Sequence, residues 1–401
     1  MSRKARAALQ IVLLGFLSVA AFAAPPPSPV GTEIRVSTTP TVSHFHPSVA
    51  VFQDGSFVVV WTSTAGARAR FFDSQGKPQT GEVPLKVAGV VNQVVADPSG
   101  GFFVAWTGPS NPTTNVFVRR FNRNGTPRSK AIRANIPNTS FHRANPVVAV
   151  APDGRFAVAW ASEVPVPEFE DVVITNAVGR IFSAKGIPIT PEITLYEGSP
   201  PSPALDDADN AFPTSLTFAP DGTVSALVEL WPSCARTFLV RLPRGSVTPE
   251  PRALASFCAG TDNIRSSLAM GKDGSLIAAW NQFEIVAQRF SPNGTPRGEV
   301  LDVSDDEGSE LDPAVALQAG GSFVIVWTDR DGRDGDGRGL FGRAFTAQGA
   351  PRSEEFQINT TTAGDQEDPS ISAARKGPVV VVWTQTLGER SEVFARILSA
   401  K

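Results

Sequence analysis

Four aspartates punctuate one short run, TDRDGRDGDGRG from Thr328 to Gly339: Asp329, Asp331, Asp334 and Asp336. Carboxylates that alternate with small or flexible residues on a turn-rich loop suit a hard cation such as Ca²⁺, which collects roughly six to eight oxygens. A D-x-D-x-D-G loop would need an oxygen ligand at position 333, where Arg333 stands. Arg330, Arg333 and Arg338 can instead neutralise the acids, so the run reads either as a calcium site or as a solvated charged hairpin. Asp305, Asp306, Glu307, Glu310 and Asp312 precede it, and Asp365, Glu367 and Asp368 follow it. A second acidic group comprises Glu163, Glu168, Glu170 and Asp171, then Asp206, Asp207 and Asp209. Two carboxyl groups about 5–10 Å apart across a cleft would serve glycoside hydrolysis, but spacing along the chain sets no such distance.

Other chemistry is thinner. His44, His46 and His142 are the three histidines, and they fall in repeats that are not neighbours, too dispersed for a transition metal. Cys234 and Cys258 lie within one repeat; they are either a disulfide in an oxidising compartment or two small buried thiols. No G-x-S-x-G elbow, phosphate-cradling loop or paired-cysteine zinc pattern occurs.

The elements that must position these residues are repeated. Six of the seven tryptophans close the same phrase, a glycine turn followed by an apolar run: DGSFVVVW to Trp61, GGFFVAW to Trp106, DGRFAVAW to Trp160, DGSLIAAW to Trp280, GGSFVIVW to Trp327 and KGPVVVVW to Trp383. In the remaining copy, DGTVSALVELW, Val228 holds the aligned slot and Trp231 comes three residues later. Each copy carries four strand signals. Strand A opens at a proline, as at Pro47, Pro146, Pro213, Pro313 and Pro369, and a tight Asp-Gly-type turn leads to strand B. Strand B is apolar on both faces and must be covered on both sides. Strand C ends in an Arg-x-Phe phrase, as at Arg70, Arg119, Arg180 and Arg343, and a Gly-x-Pro turn then leads to strand D.

Turn glycines at 55, 101, 154, 222, 274, 321 and 377 recur roughly every 50 residues, the period of a propeller blade. The chain ends after strand C of copy seven, and the segment from Thr32, TEIRVSTT, aligns with EEFQINTT at Glu354. The expected fold is therefore all-β: one seven-bladed β-propeller over residues 32–401, with four-stranded blades. The N-terminal strand is expected to complete the last blade and so hide two sheet edges. These repeats resemble the DG-x-F-x-V-x-W and R-x-F-x-x-x-G-x-P blades of bacterial secreted β-propeller proteins. The resemblance implies that the Trp and Arg of each copy pack blades together, with the fourth copy departing most.

Ahead of the repeats, Arg3, Lys4 and Arg6 precede an apolar stretch and an Ala21-Phe22-Ala23 cleavage pattern, so residues 1–23 read as a signal peptide and 24–31 as a proline-rich linker. The apolar stretch is short for a bilayer helix, and no other segment of the mature chain could span a membrane. The chain carries a net charge of −3 and loses three basic residues with the leader, which argues against a nucleic-acid partner. On a propeller, the D-to-A and B-to-C connections share one rim, here called the top. That rim is long, uneven and acidic, and displayed loops are where such scaffolds act. The expectation is a non-catalytic binding or surface module, secreted, periplasmic or at the cell surface. Its top rim, with or without structural calcium, would meet a carbohydrate, a cell-envelope component or a protein. The alternative is a propeller hydrolase or lyase that acts on extracellular carbohydrate through top-face carboxylates.

Overall fold

A computed structural model describes residues 29–399 apart from 40–41, 110–112, 138–140, 167–171, 201–208, 232–234, 258–264, 283, 306–309 and 375–376. The described chain is a seven-bladed β-propeller: seven antiparallel sheets of four strands each, every one ordered A-B-C-D from the channel outward. Blade one comprises His44–Val51, Phe57–Ser63, Gly66–Phe72 and Val83–Pro84. In blade seven, Asp365–Ala373, Val379–Leu387 and Arg390–Leu398 take Pro29–Arg35 as the fourth strand, with Ile34 opposite Ala395 and Arg35 opposite Phe394. The ring thus closes as the repeats require. The closing strand starts at Pro29, inside the stretch read as linker, because Pro29 and Val30 pair with Leu398 and Ile397.

The apolar period of strand B becomes seven cores, one at each seam between adjacent blades. Each tryptophan of the regular phrase packs against the preceding blade. Trp61 lies in the core shared with blade seven, Trp160 in that shared with blade two, and Trp383 in that shared with blade six. A buried tryptophan removes on the order of 200 Å² from water, which is what fastens one sheet to the next. Arginines of strand C add polar staples across the same seams. Arg70 donates from Nη1 to the carbonyl of Val36, Arg119 to that of Lys86, and Arg343 to that of Val303, at 2.9, 3.0 and 3.1 Å. Outer strands are paired over only two residues in blades one, two, five and six. A sheet edge that short offers little template for pairing with another chain.

Blade four is the exception. Val228 fills the tryptophan slot in the seam with blade three, and Trp231, at the end of strand B, is 45% exposed.

Candidate functional site at the channel mouth

Strand A of all seven blades lines the central channel, whose top opens into a cavity of about 780 Å³. That volume lies within the range of small-ligand sites. A β-bulge interrupts the A-to-B ladder near the top of blades one, two, three, four, six and seven. In blades one, three, six and seven the residue at the bulge precedes a proline and is left-handed: His46, Asn145, Asp312 and Asp368, at φ of 49 to 55°. Bulges re-aim side chains, and left-handed conformations at residues other than glycine cluster at functional sites. Here all four residues line the cavity.

Three of these blades form one charged chain with blade five. Arg265 donates from Nη1 to Asp368 Oδ1 at 2.6 Å and sets its Nε 3.3 Å from Asp312 Oδ1. The other oxygen of Asp368 is 3.5 Å from His46 Nδ1. Burial alone would raise the carboxyl of Asp368, but the hydrogen bond from His46 and the charge of Arg265 hold it down at about 2. Asp312 is shifted the other way: burial raises it and Asp368 adds to that, against the pull of Arg265. Beside them is Glu229, 3% exposed, on strand B of blade four. Burial pushes its carboxyl well above the ordinary carboxylate range; a hydrogen bond with Ser266 and the charge of Arg265 oppose that, and Asp312 reinforces it. Ser266 in turn meets Thr214, with 2.7 Å between the hydroxyls. Trp231, two residues beyond Glu229, completes this side of the wall.

The blade-six run is arranged differently. Asp329 ends strand B and is 1% exposed; its Oδ1 accepts the backbone N–H groups of Asp331 and Arg333 at 3.1 and 3.3 Å. Asp334 accepts from the Asn359 side chain at 2.7 Å and from the N–H of Asp336 at 3.3 Å. Asp336 accepts the N–H of Gly364 at 3.2 Å. Arg333 folds inward over the Phe341 ring, donates to Glu355 at 2.7 Å and lies 3.8 Å from Asp329 and 3.9 Å from Glu310. Arg338 pairs with Glu367. Among the described residues, no group of three or more His, Cys, Asp or Glu side chains is placed to hold a metal ion.

Of the other residues that the sequence singles out, His44 is a structural side chain. Its Nδ1 accepts from the indole of Trp61 and its Nε2 meets the carbonyl of Thr39, both at 2.9 Å. Cys234 and Cys258 lie outside the described residues, as do Glu168, Glu170, Asp171, Asp206, Asp207, Asp306 and Glu307. Among the described residues, Asp312 and Asp368 are the rim acids that reach the channel. Glu229, Arg265 and Trp231 also line the mouth and are not marked by any sequence motif. The available signal was the displacement of Trp231 from its register.

No family model and no curated protein sequence matches the chain. Solved structures match along nearly its whole length at low identity. A polysaccharide lyase, Uly1, is 9% identical with a TM-score of 0.57, covering 93% of this chain and all of that one. An ulvan lyase of polysaccharide lyase family PL25, solved bound to -[GlcA(1-4)Rha3S]-, is 9% identical with a TM-score of 0.58, covering 92% and 96%. An α-L-arabinanase from Penicillium chrysogenum, in complex with arabinobiose, is 10% identical with a TM-score of 0.51, covering 92% and 98%. These likenesses define the class, a β-propeller, and no helix among the described residues is long and apolar enough to cross a membrane.

Proposed function

We propose that the protein is a secreted carbohydrate-binding module whose site is the channel mouth. The observation that carries this reading is Trp231, exposed at the rim of a cavity lined by Asp312, Asp368, Arg265 and Glu229. An indole face stacks on the C–H face of a sugar ring, while carboxylates accept and a guanidinium donates hydrogen bonds to its hydroxyls; a few polar groups on a concave wall set the orientation. That propellers of similar shape include two polysaccharide lyases and an arabinanase supports a saccharide ligand. The test is a glycan array probed with the protein and with Trp231→Ala. The expected result is a defined set of bound glycans that the variant loses; no bound glycan, or binding indifferent to Trp231, overturns the reading.

A second reading, a polysaccharide hydrolase or lyase, is favoured by Glu229, whose carboxyl burial pushes well above the ordinary range, on the same cavity wall as Asp368, which is held down at about 2. One carboxyl held neutral near another held ionised is how acid and base roles are divided. Release of reducing ends or of unsaturated uronate from the bound glycan, lost in Glu229→Gln, separates it from binding alone. The secreted location rests on the leader at residues 1–23, and a Cys234–Cys258 disulfide is proposed with it; alkylation without reductant should then label neither thiol.

A further inference from the structure

Glu229 has an unusual environment for a group that merely shapes a wall. Its Oε1 is buried and has no hydrogen-bond partner among the described residues, and the residue lines the cavity. Asp312 Oδ1 is likewise buried, and it meets the Nε of Arg265 at 3.3 Å without forming a well-directed hydrogen bond. Arg265 spends its charge on two aspartates, so Glu229, Asp312 and Asp368 face one guanidinium and His46 among the described residues of the mouth. Buried acceptors lacking donors are unfavourable unless something supplies the donors. What these two oxygens lack among the described residues is a well-directed hydrogen-bond donor, and a compact cation could supply it to both.

Resting on the carbohydrate reading, we propose that the cavity selects a sugar bearing a free, protonated amine, a deacetylated hexosamine, whose ammonium group lies between Glu229 and Asp312. An ammonium is a point charge with three rotatable donors and can serve both carboxyls at once. An N-acetylated sugar brings one neutral N–H and an acetyl group in its place. A neutral hexose brings hydroxyls, which can donate to the carboxylates but carry no positive charge to offset them. An ammonium beside Glu229 offsets the burial that disfavours its carboxylate form, and Asp312 can share the same cation.

The experiment is calorimetric titration near pH 6 with three oligosaccharides of equal length: β-1,4-linked glucosamine, its N-acetylated form and the glucose equivalent. The glucosamine oligomer should bind at least about tenfold more tightly than either of the others. Glu229→Gln, isosteric and uncharged, should reduce that preference to about threefold or less, and Asp312→Asn should do the same independently. Equal or tighter binding of the acetylated or neutral oligomer by the wild-type protein overturns the proposal without need of any variant. So does a preference that both variants retain. A Trp231-dependent glycan that lacks the amine preference removes this inference and leaves the carbohydrate reading standing; absence of any Trp231-dependent glycan removes both.

Discussion

Blades four and six carry two acidic groups on the same rim, and they use their carboxylates in opposite ways. In blade six the tryptophan is in register and fully buried, and the aspartates of the loop are turned onto backbone amides, Asn359 and Arg333. In blade four the tryptophan is displaced into solvent, and a neighbouring glutamate is buried with one oxygen unpartnered at the channel. The blade-six loop folds its aspartates onto its own backbone and Arg333, although Glu310 Oε1 and Asp329 Oδ2 beneath it stay without a hydrogen-bond partner and Asp312 of the same blade reaches the channel. The blade that breaks the repeat presents its groups to the cavity. Counting acids therefore locates charge, whereas an unpartnered carboxyl that also lines the cavity, as Glu229 and Asp312 do and Glu310 and Asp329 do not, locates a site.

The sharpest way to break this comparison is to truncate the two tryptophans. Trp327→Ala should lower stability by about 3–5 kcal/mol, because it empties the seam with blade five. Trp231→Ala should change it by no more than ~0.5 kcal/mol while abolishing glycan binding. Denaturant unfolding of both variants checks the pair, and equal losses would mean that Trp231 is a packing residue after all. Next comes Arg333→Met, which leaves Asp329, Glu310 and Glu355 without their shared cation. A loss of about 2 kcal/mol at neutral pH is expected, below the value for a fully buried pair because the guanidinium is part-exposed.

The blade-six cluster also makes a pH prediction with a definite sign. Glu310 is fully buried; burial raises its carboxyl from 4.5 to about 7, the bond from Ser304 opposes this, and Glu355 and Asp329 add to it. The folded state thus holds the proton more tightly than the unfolded chain. The contribution of Glu310 to stability is complete below about pH 4.5 and falls away as pH rises through 7. Glu310→Gln should therefore stabilise the protein by about 2–3 kcal/mol at pH 8 and hardly at all at pH 4.5. Thermal melts across that range check it, and a gain that does not depend on pH would contradict the assignment.

The calcium reading of this loop is put to the same kind of test, and the smallest expected effect belongs to it. Arg333 occupies the position where an oxygen ligand would be needed, so millimolar Ca²⁺ should leave the melting midpoint of the wild-type protein unchanged. Arg333→Asn restores an oxygen and should gain a Ca²⁺-dependent rise of a few degrees. A rise in the wild-type protein, lost in Asp331→Asn, would show that the loop opens to take the ion.

The fold was legible because its signals are local and repeated. The Gly turn, the apolar strand and Trp61 or Trp383 recur at the period of a blade, and the alignment of Thr32 with Glu354 announced the closing strand. The site was legible only in part, for two physical reasons. Asp312 and Asp368 stood out as rim acids, but that they enter the channel depends on bulges ahead of Pro313 and Pro369, where a left-handed residue re-aims the side chain. Glu229 reads as an ordinary strand residue; its proximity to Arg265 and Asp312 arises from the packing of three successive blades around one channel axis. Trp231 did show as an irregularity, and its displacement from the packing slot now has a consequence, an aromatic face at the mouth.

That face offers the most direct measurement. The other six tryptophans are buried, so acrylamide quenching of the intrinsic fluorescence reports chiefly on Trp231. With a glycan taken from the array, the quenchable fraction should vanish on saturation, and Trp231→Phe should lack it from the start. If a glycan binds and the quenchable fraction stays unchanged, the ligand is not at the channel mouth, and the assignment of that mouth as the binding site is wrong.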